Sequence, residues 1–125
     1  MLGDREATAT VAVKDLAAAR KFYEDKLGLV PGREQGSEAV LYKTGSRRLL
    51  VYRSQFAGTN RATSVTWSVG DGVDELARTL KAKGVPFERY DMPGAKLEGD
   101  VHVFDGMRVA WFKDPDGNIH SLVSD

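Results

Sequence analysis

Thr8-Ala9-Thr10-Val11-Ala12-Val13 and Ser64-Val65-Thr66-Trp67-Ser68-Val69 carry one pattern twice. In each stretch small or hydroxyl-bearing residues alternate with Val, Ala or Trp, the period-two spacing of a strand with one buried face. The alternation predicts Val11, Val13, Trp67 and Val69 beneath helices and Thr10 and Thr66 on the opposite side. Asp15 and Asp71 follow at the same distance, each placed to cap a helix. Both helices then meet a glycine, Gly28 or Gly84, suited to the left-handed position after a helix end. Thr8 and Ser64, Asp15 and Asp71, and Gly28 and Gly84 are each 56 residues apart. Three matches at one offset indicate a duplicated unit, which fixes the architecture before any single motif is weighed.

The rest of the chain fits this frame. Leu16, Ala19, Phe22, Tyr23 and Leu27 form one apolar helical stripe, and Val73, Leu76, Ala77 and Leu80 form the other. Three strands are expected after each helix: about 29–34, 39–43 and 47–53, then about 85–90, 107–113 and 118–123. The result is an α+β chain of two tandem βαβββ units, about 7–54 and 63–124, forming one domain. Thr44-Gly45-Ser46 turns the last hairpin of the first unit, and Asp114-Pro115-Asp116-Gly117-Asn118 that of the second. Gly45 and Gly117 are 72 residues apart, sixteen more than the repeat offset, which assigns the segment from Asp91 to Gly106 as an insertion. Within it Asp105-Gly106 has the form of a hairpin turn. Its Pro93-Gly94 and Gly99 suggest hinges, so the segment is expected to act as a mobile lid.

Composition narrows the function. The 125 residues carry 18 Lys+Arg, 18 Asp+Glu and no Cys, a neutral balance with no basic footprint for nucleic acid or an anionic membrane. No long apolar run reads as a transmembrane span, and the residues from Met1 to Glu6 have no signal-peptide core. A cytoplasmic protein with a small-molecule ligand, no nucleic-acid partner and no membrane partner is expected.

Val13-Lys14-Asp15-Leu16 with Ala19 and Phe22-Tyr23, then Leu27-Gly28-Leu29, and finally Ala110-Trp111-Phe112-Lys113-Asp114-Pro115-Asp116-Gly117-Asn118 give the chain its family likeness. Over nearly its whole length it resembles the vicinal oxygen chelate superfamily of glyoxalase I, bleomycin-resistance proteins, fosfomycin-resistance enzymes and extradiol dioxygenases. The resemblance implies paired βαβββ units whose cupped mixed sheets carry helices on the outer face and a site in the concavity. It also implies a homodimer. In metal-using members a His, Gln or Glu stands near the start of each first strand, and a Glu or similar ligand on each last strand. Carried onto this sequence, those places are Thr8, Ser64, Ser121 and a position within 48–51. Hydroxyls and apolar or Arg side chains do not replace carboxylate and imidazole donors. No metal ligand and no cofactor are therefore assigned.

Two function classes follow. The first is a small-molecule-binding protein of the glyoxalase/bleomycin-resistance type, whose ligand-binding residues would be Thr8, Thr10, Ser64, Thr66, Ser68, Trp111 and Ser121, with Ala12 beside them. The alternative is a glyoxalase- or dioxygenase-like enzyme, lyase or oxidoreductase, acting on a small metabolite. Its catalytic candidate is His102, which shares hairpin parity with Phe104 and Trp111. His120, next to Ser121, should point away from the site. Arg47, Arg48, Arg53 and Arg108 are candidates for an anionic substrate, and Asp91 with Glu98 for an acid/base pair.

Overall fold

The computed structural model describes residues 1–35 and 37–125, which divide into two compact units, Met1–Thr59 and Asn60–Asp125. In the first, strand β1 (Ala9–Val13) leads to helix α1 (Leu16–Arg20), followed by β2 (Val30–Gln35), β3 (Ala39–Thr44) and β4 (Arg47–Arg53). The sheet order is β1-β4-β3-β2, with β1 parallel to β4 and the other pairs antiparallel. A parallel pair cannot be closed by a tight turn, so the chain crosses over through α1.

Asp15 caps that helix, its Oδ1 accepting the N–H groups of Ala17 and Ala18 at 2.9 and 3.2 Å. Beyond Arg20 the helix widens into a π-helical turn over Lys21–Lys26, where the Leu27 N–H donates to the Phe22 carbonyl at 3.0 Å. Widening brings the adjacent Phe22 and Tyr23 inward together, and both are buried. Tyr23 stacks on Tyr42 at 6.0 Å between ring centroids, and the Tyr42 hydroxyl donates to Glu24 Oε2 at 2.8 Å. Val11, Val13, Val40, Leu49 and Val51 complete this core. Gly28 adopts φ +73° where the helix must stop, as its position in the repeat predicts.

The second unit repeats the scheme and adds to it. Strand β5 (Thr63–Ser68), helix α2 (Val73–Ala82) and strand β6 (Phe87–Glu88) precede β7 (Lys96–Glu98), β8 (Val101–Phe104), β9 (Met107–Lys113) and β10 (Ile119–Val123). The sheet runs β5-β10-β9-β8-β7, with β6 also on β9 and β5 parallel to β10. The paths β1-β4-β3-β2 and β5-β10-β9-β6 are therefore the same path, and the duplication read from the sequence is present in the fold. Val73, Ala77 and Leu80 of α2 are buried, as is Val85.

Four sequence expectations are corrected in this unit. Asp71 is not a cap: it lies in the 3-10 turn Gly70–Gly72, and α2 starts at Val73 with no side-chain cap. Trp67 and Val69 are half-buried, while Val65 takes the buried place on β5, and Leu76 stays exposed. The strand expected over 85–90 shrinks to Phe87–Glu88, because β6 pairs only with Phe112 and Trp111. The insertion is not a lid. Its strands β7 and β8 continue the sheet beyond β9, joined to it through the turn where Asp105 and Gly106 take φ +50° and +74°.

Asp15→Ala is expected to lower stability to urea by about 1 kcal/mol through loss of a cap. Asp71→Ala should change it by less than about 0.5 kcal/mol. Equal losses in the two variants would contradict the cap assignment.

Candidate functional site

The faces of the second sheet follow from its register. Ser121 is the Cα partner of both Thr66 on β5 and Trp111 on β9, so these three side chains share one face. Val109 lies two residues from Trp111 and pairs with His102, which pairs in turn with Leu97. The same face therefore carries His102 and Leu97. The Ser121 hydroxyl donates to Thr66 Oγ1 at 3.0 Å, and Ser121 is buried while Thr66 is exposed. Ser64 and Ser68 lie two residues to either side of Thr66 on β5 and share its face; Ser64 Oγ accepts the Asn60 side-chain amide at 3.0 Å.

The aromatic end of this face is tightly built. The His102 ring lies 4.8 Å from Trp111 at 82° and 6.1 Å from Tyr90 at 35°, and Tyr90 lies 5.2 Å from Trp111 at 75°. The three rings meet mainly edge to face, the favourable arrangement for their quadrupoles. The Tyr90 backbone N–H donates to His102 Nε2 at 2.9 Å. His102 is 0% exposed, and its Nδ1 has no hydrogen-bond partner among the described residues. Burial, then the charge of Glu88, raise the Tyr90 phenol above its ordinary value, so it stays protonated at neutral pH. Beside this cluster a groove of about 360 Å³ is lined by Arg89, Tyr90, Asp91, Met92, Ala95 and Leu97.

His120 lies on the opposite face, with Phe112. It stacks on Phe112 at 4.9 Å, and the Trp67 indole N–H donates to its Nδ1 at 3.1 Å. Burial pulls its pKa down to about 4, partly opposed by the charge of Asp114. Asp114 is itself buried within the turn, where Oδ1 accepts the backbone N–H groups of Asp116 and Asn118 at 2.9 and 2.8 Å.

The remaining candidates separate. Thr10 shares a face of the first sheet with its partner Leu50, away from Val11 and Val13, and its hydroxyl donates to the Thr8 carbonyl at 3.2 Å. Arg47 pairs with Glu6, and Arg53 with Glu38 at 2.9 Å. Arg108 holds both oxygens of Asp74 at 2.9 and 2.8 Å and reaches Glu98 at 3.1 Å. The hydrogen bond from Arg108 keeps the Asp74 carboxyl below its usual range. Asp91 lines the groove while Glu98 is held by Arg108, so the two do not form a pair around one acid/base centre. Tyr90, Arg89 and Leu97 were not singled out by sequence, because the approach of Tyr90 to Trp111 depends on β6 pairing with β9. Among the described residues no group of three or more His, Cys, Asp or Glu side chains could hold a metal ion. No helix among them is long and apolar enough to cross a membrane.

A family model described as Glyoxalase/Bleomycin resistance protein/Dioxygenase superfamily matches residues 7–121. Solved structures share the fold. A lactoylglutathione lyase from Agrobacterium tumefaciens is 22% identical with a TM-score of 0.72, over 96% of this chain and 92% of that one. A bleomycin resistance determinant encoded on the transposon Tn5 is 20% identical with a TM-score of 0.71, over 97% and 98%. A genomically encoded fosfomycin resistance protein from Listeria monocytogenes is 17% identical with a TM-score of 0.72, over 98% and 91%. No curated protein matches significantly.

The depressed pKa of His120 makes stability pH-dependent. The unfolded chain takes up a proton near pH 6.5 that the folded chain refuses until about pH 4, so stability is full above pH 6.5 and falls between those values. The expected loss on acidification to pH 4 is about 3 kcal/mol. His120→Gln should flatten the slope of melting temperature against pH in that window, whatever its effect on the melting temperature at pH 7. Coincident slopes would show that His120 is not responsible.

Proposed function

The chain belongs to the Glyoxalase/Bleomycin resistance protein/Dioxygenase superfamily, and within it we propose that the protein is a small-molecule-binding member that works without the superfamily's metal. The observation that carries this reading is Ser121. It stands where the resemblance places a last-strand ligand, and its hydroxyl is spent on Thr66 at 3.0 Å. By the same resemblance Thr8 and Ser64 hold the first-strand positions and the fourth falls within 48–51, where Leu50 is the one that shares a face with Thr10. Two threonine or serine hydroxyls, a paired serine and a leucine are a donor set that does not fit a divalent transition ion. No chemical step through a metal is therefore derived.

The same face is suited to holding a ligand. Thr66 and Ser68 expose hydroxyls with little bulk, Ser121 sits behind Thr66 and holds it, Trp111 is half-exposed beside them, and the aromatic end opens onto the groove. Small polar side chains leave room and give direction, while the indole supplies apolar area. Thr8 and Thr10 are assigned to the corresponding face of the first sheet. We also propose a homodimer, because among the described residues β5 and β7 stand at the two ends of their sheet's strand order.

Protein purified without chelator should contain well under one equivalent of Ni, Zn, Fe or Mn by elemental analysis. A thermal-shift screen of small aromatic molecules should then find ligands whose stabilisation Trp111→Ala removes, with at least about a tenfold loss of affinity. Stoichiometric metal resistant to mild chelation, lost in Ser64→Ala or Ser121→Ala, would overturn the metal-free reading. Light scattering should give twice the 13.7 kDa chain mass.

A further inference from the structure

We infer that the His102–Tyr90–Trp111 end of the second sheet is a subsite for a singly charged aromatic carboxylate, with His102 donating a hydrogen bond from Nδ1 and Arg89 receiving the charge. The inference rests on the small-molecule reading and gives it a ligand class.

A neutral imidazole has one donor and one acceptor nitrogen. The Tyr90 N–H at 2.9 Å makes Nε2 the acceptor, so the proton is on Nδ1. That N–H is buried and has no partner among the described residues, an arrangement folding normally avoids because a lost hydrogen bond is not recovered from water. What is missing is an oxygen acceptor. The residues touching the imidazole also line the groove: Tyr90 holds Nε2, and Leu97 is its cross-strand partner. His102 is not itself a lining residue but lies next to two that are. Leu97 is 44% exposed on a three-residue strand whose residues are all exposed, so its side chain can swing aside.

The other contacts select the ligand. Tyr90 and Trp111 offer aromatic edges and faces to a flat ring. Among the described residues Arg89 uses Nε, on Asp100 at 3.1 Å, which leaves its terminal nitrogens for a second carboxylate oxygen. Asp91, exposed at the groove, opposes a doubly charged ligand more strongly than a singly charged one.

The test uses benzoate, phthalate and benzyl alcohol as probes, with tryptophan fluorescence and the ¹⁵N resonance of His102 Nδ1 as readouts. His102→Gln keeps an acceptor for the Tyr90 N–H and removes the Nδ1 donor, whereas His102→Asn keeps a donor near Nδ1. Benzoate should bind saturably and move the Nδ1 resonance, with benzyl alcohol and phthalate at least tenfold weaker. H102Q should weaken benzoate about tenfold, H102N less than threefold, and Leu97→Ala should tighten it. Equal binding of benzoate and benzyl alcohol, or wild-type affinity in folded H102Q, would overturn the inference. So would an Nδ1 resonance unmoved at saturation, which would place the N–H against the Trp111 ring instead. If H102Q fails to fold, the alcohol comparison and the wild-type resonance decide. Should benzoate not bind while another molecule gives a Trp111-dependent shift, this inference falls and the broader reading stands; if nothing binds, both fall.

Discussion

The parallel pairing of the first and last strand in each unit is the constraint from which the rest follows. Ala9 to Val13 align with Leu49 to Arg53, and β5 aligns with β10 in the same sense. Two parallel neighbours require a crossover, and in each unit that crossover begins with the amphipathic helix. Once that helix covers one face, the strand alternation has no freedom left. Val11 and Val13 must go under α1, so Thr10 must face away. On the second sheet His120 and Leu122 share a face with Val65, and Ser121 shares the other with Thr66. The irregularity between Ile119 and His120 brings this register about, since it shifts the pairing by one residue before the hydroxyl pair is reached.

The two histidines show how one residue type acquires opposite roles from the side of the sheet it occupies. Both are 0% exposed. His120 is inside the core, stacked on Phe112 and held by the Trp67 indole, and burial keeps it neutral. His102 stands on the opposite face, with Trp111, among aromatic edges, and among the described residues one of its nitrogens is held and the other is not. A core satisfies its polar groups because nothing else will reach them. A group left unsatisfied beside a groove is more informative than one on the surface, where water would complete it.

The inserted segment is fixed for a simple reason. Strand β6 covers only Trp111 and Phe112 of β9, which leaves the backbone of Met107, Arg108 and Val109 without a neighbour on that side. Strand β8 takes that place, and β7 follows it. Ion pairs then fasten the addition to α2 and to the chain leading into it. Asp100 meets Lys81 and Arg89 at 3.1 Å, and Arg108 joins Asp74 to Glu98. Although burial opposes it, hydrogen bonds from Lys81 and Arg89 keep the Asp100 carboxyl below its usual range. Exposed pairs of this kind contribute little each, but they act together on one edge.

By itself the sequence determined the duplicated unit, the parity of Thr10 and Thr66, and the glycine helix ends. These are local or periodic properties, written in residue type and spacing, and a period-two strand or a capped helix needs no distant partner to be recognised. It also placed His102 and Trp111 on one face, because a two-residue hairpin fixes parity. Asp71 and the insertion were misread because capping and mobility depend on what packs alongside, which spacing does not contain. Only the tertiary structure decided that β6 lies against β9 and so carries Tyr90 to Trp111 and to the imidazole of His102. That pairing joins residues far apart in the chain, its energy comes from backbone groups every residue shares, and nothing in the side chains of Arg89, Tyr90 or Leu97 announces it.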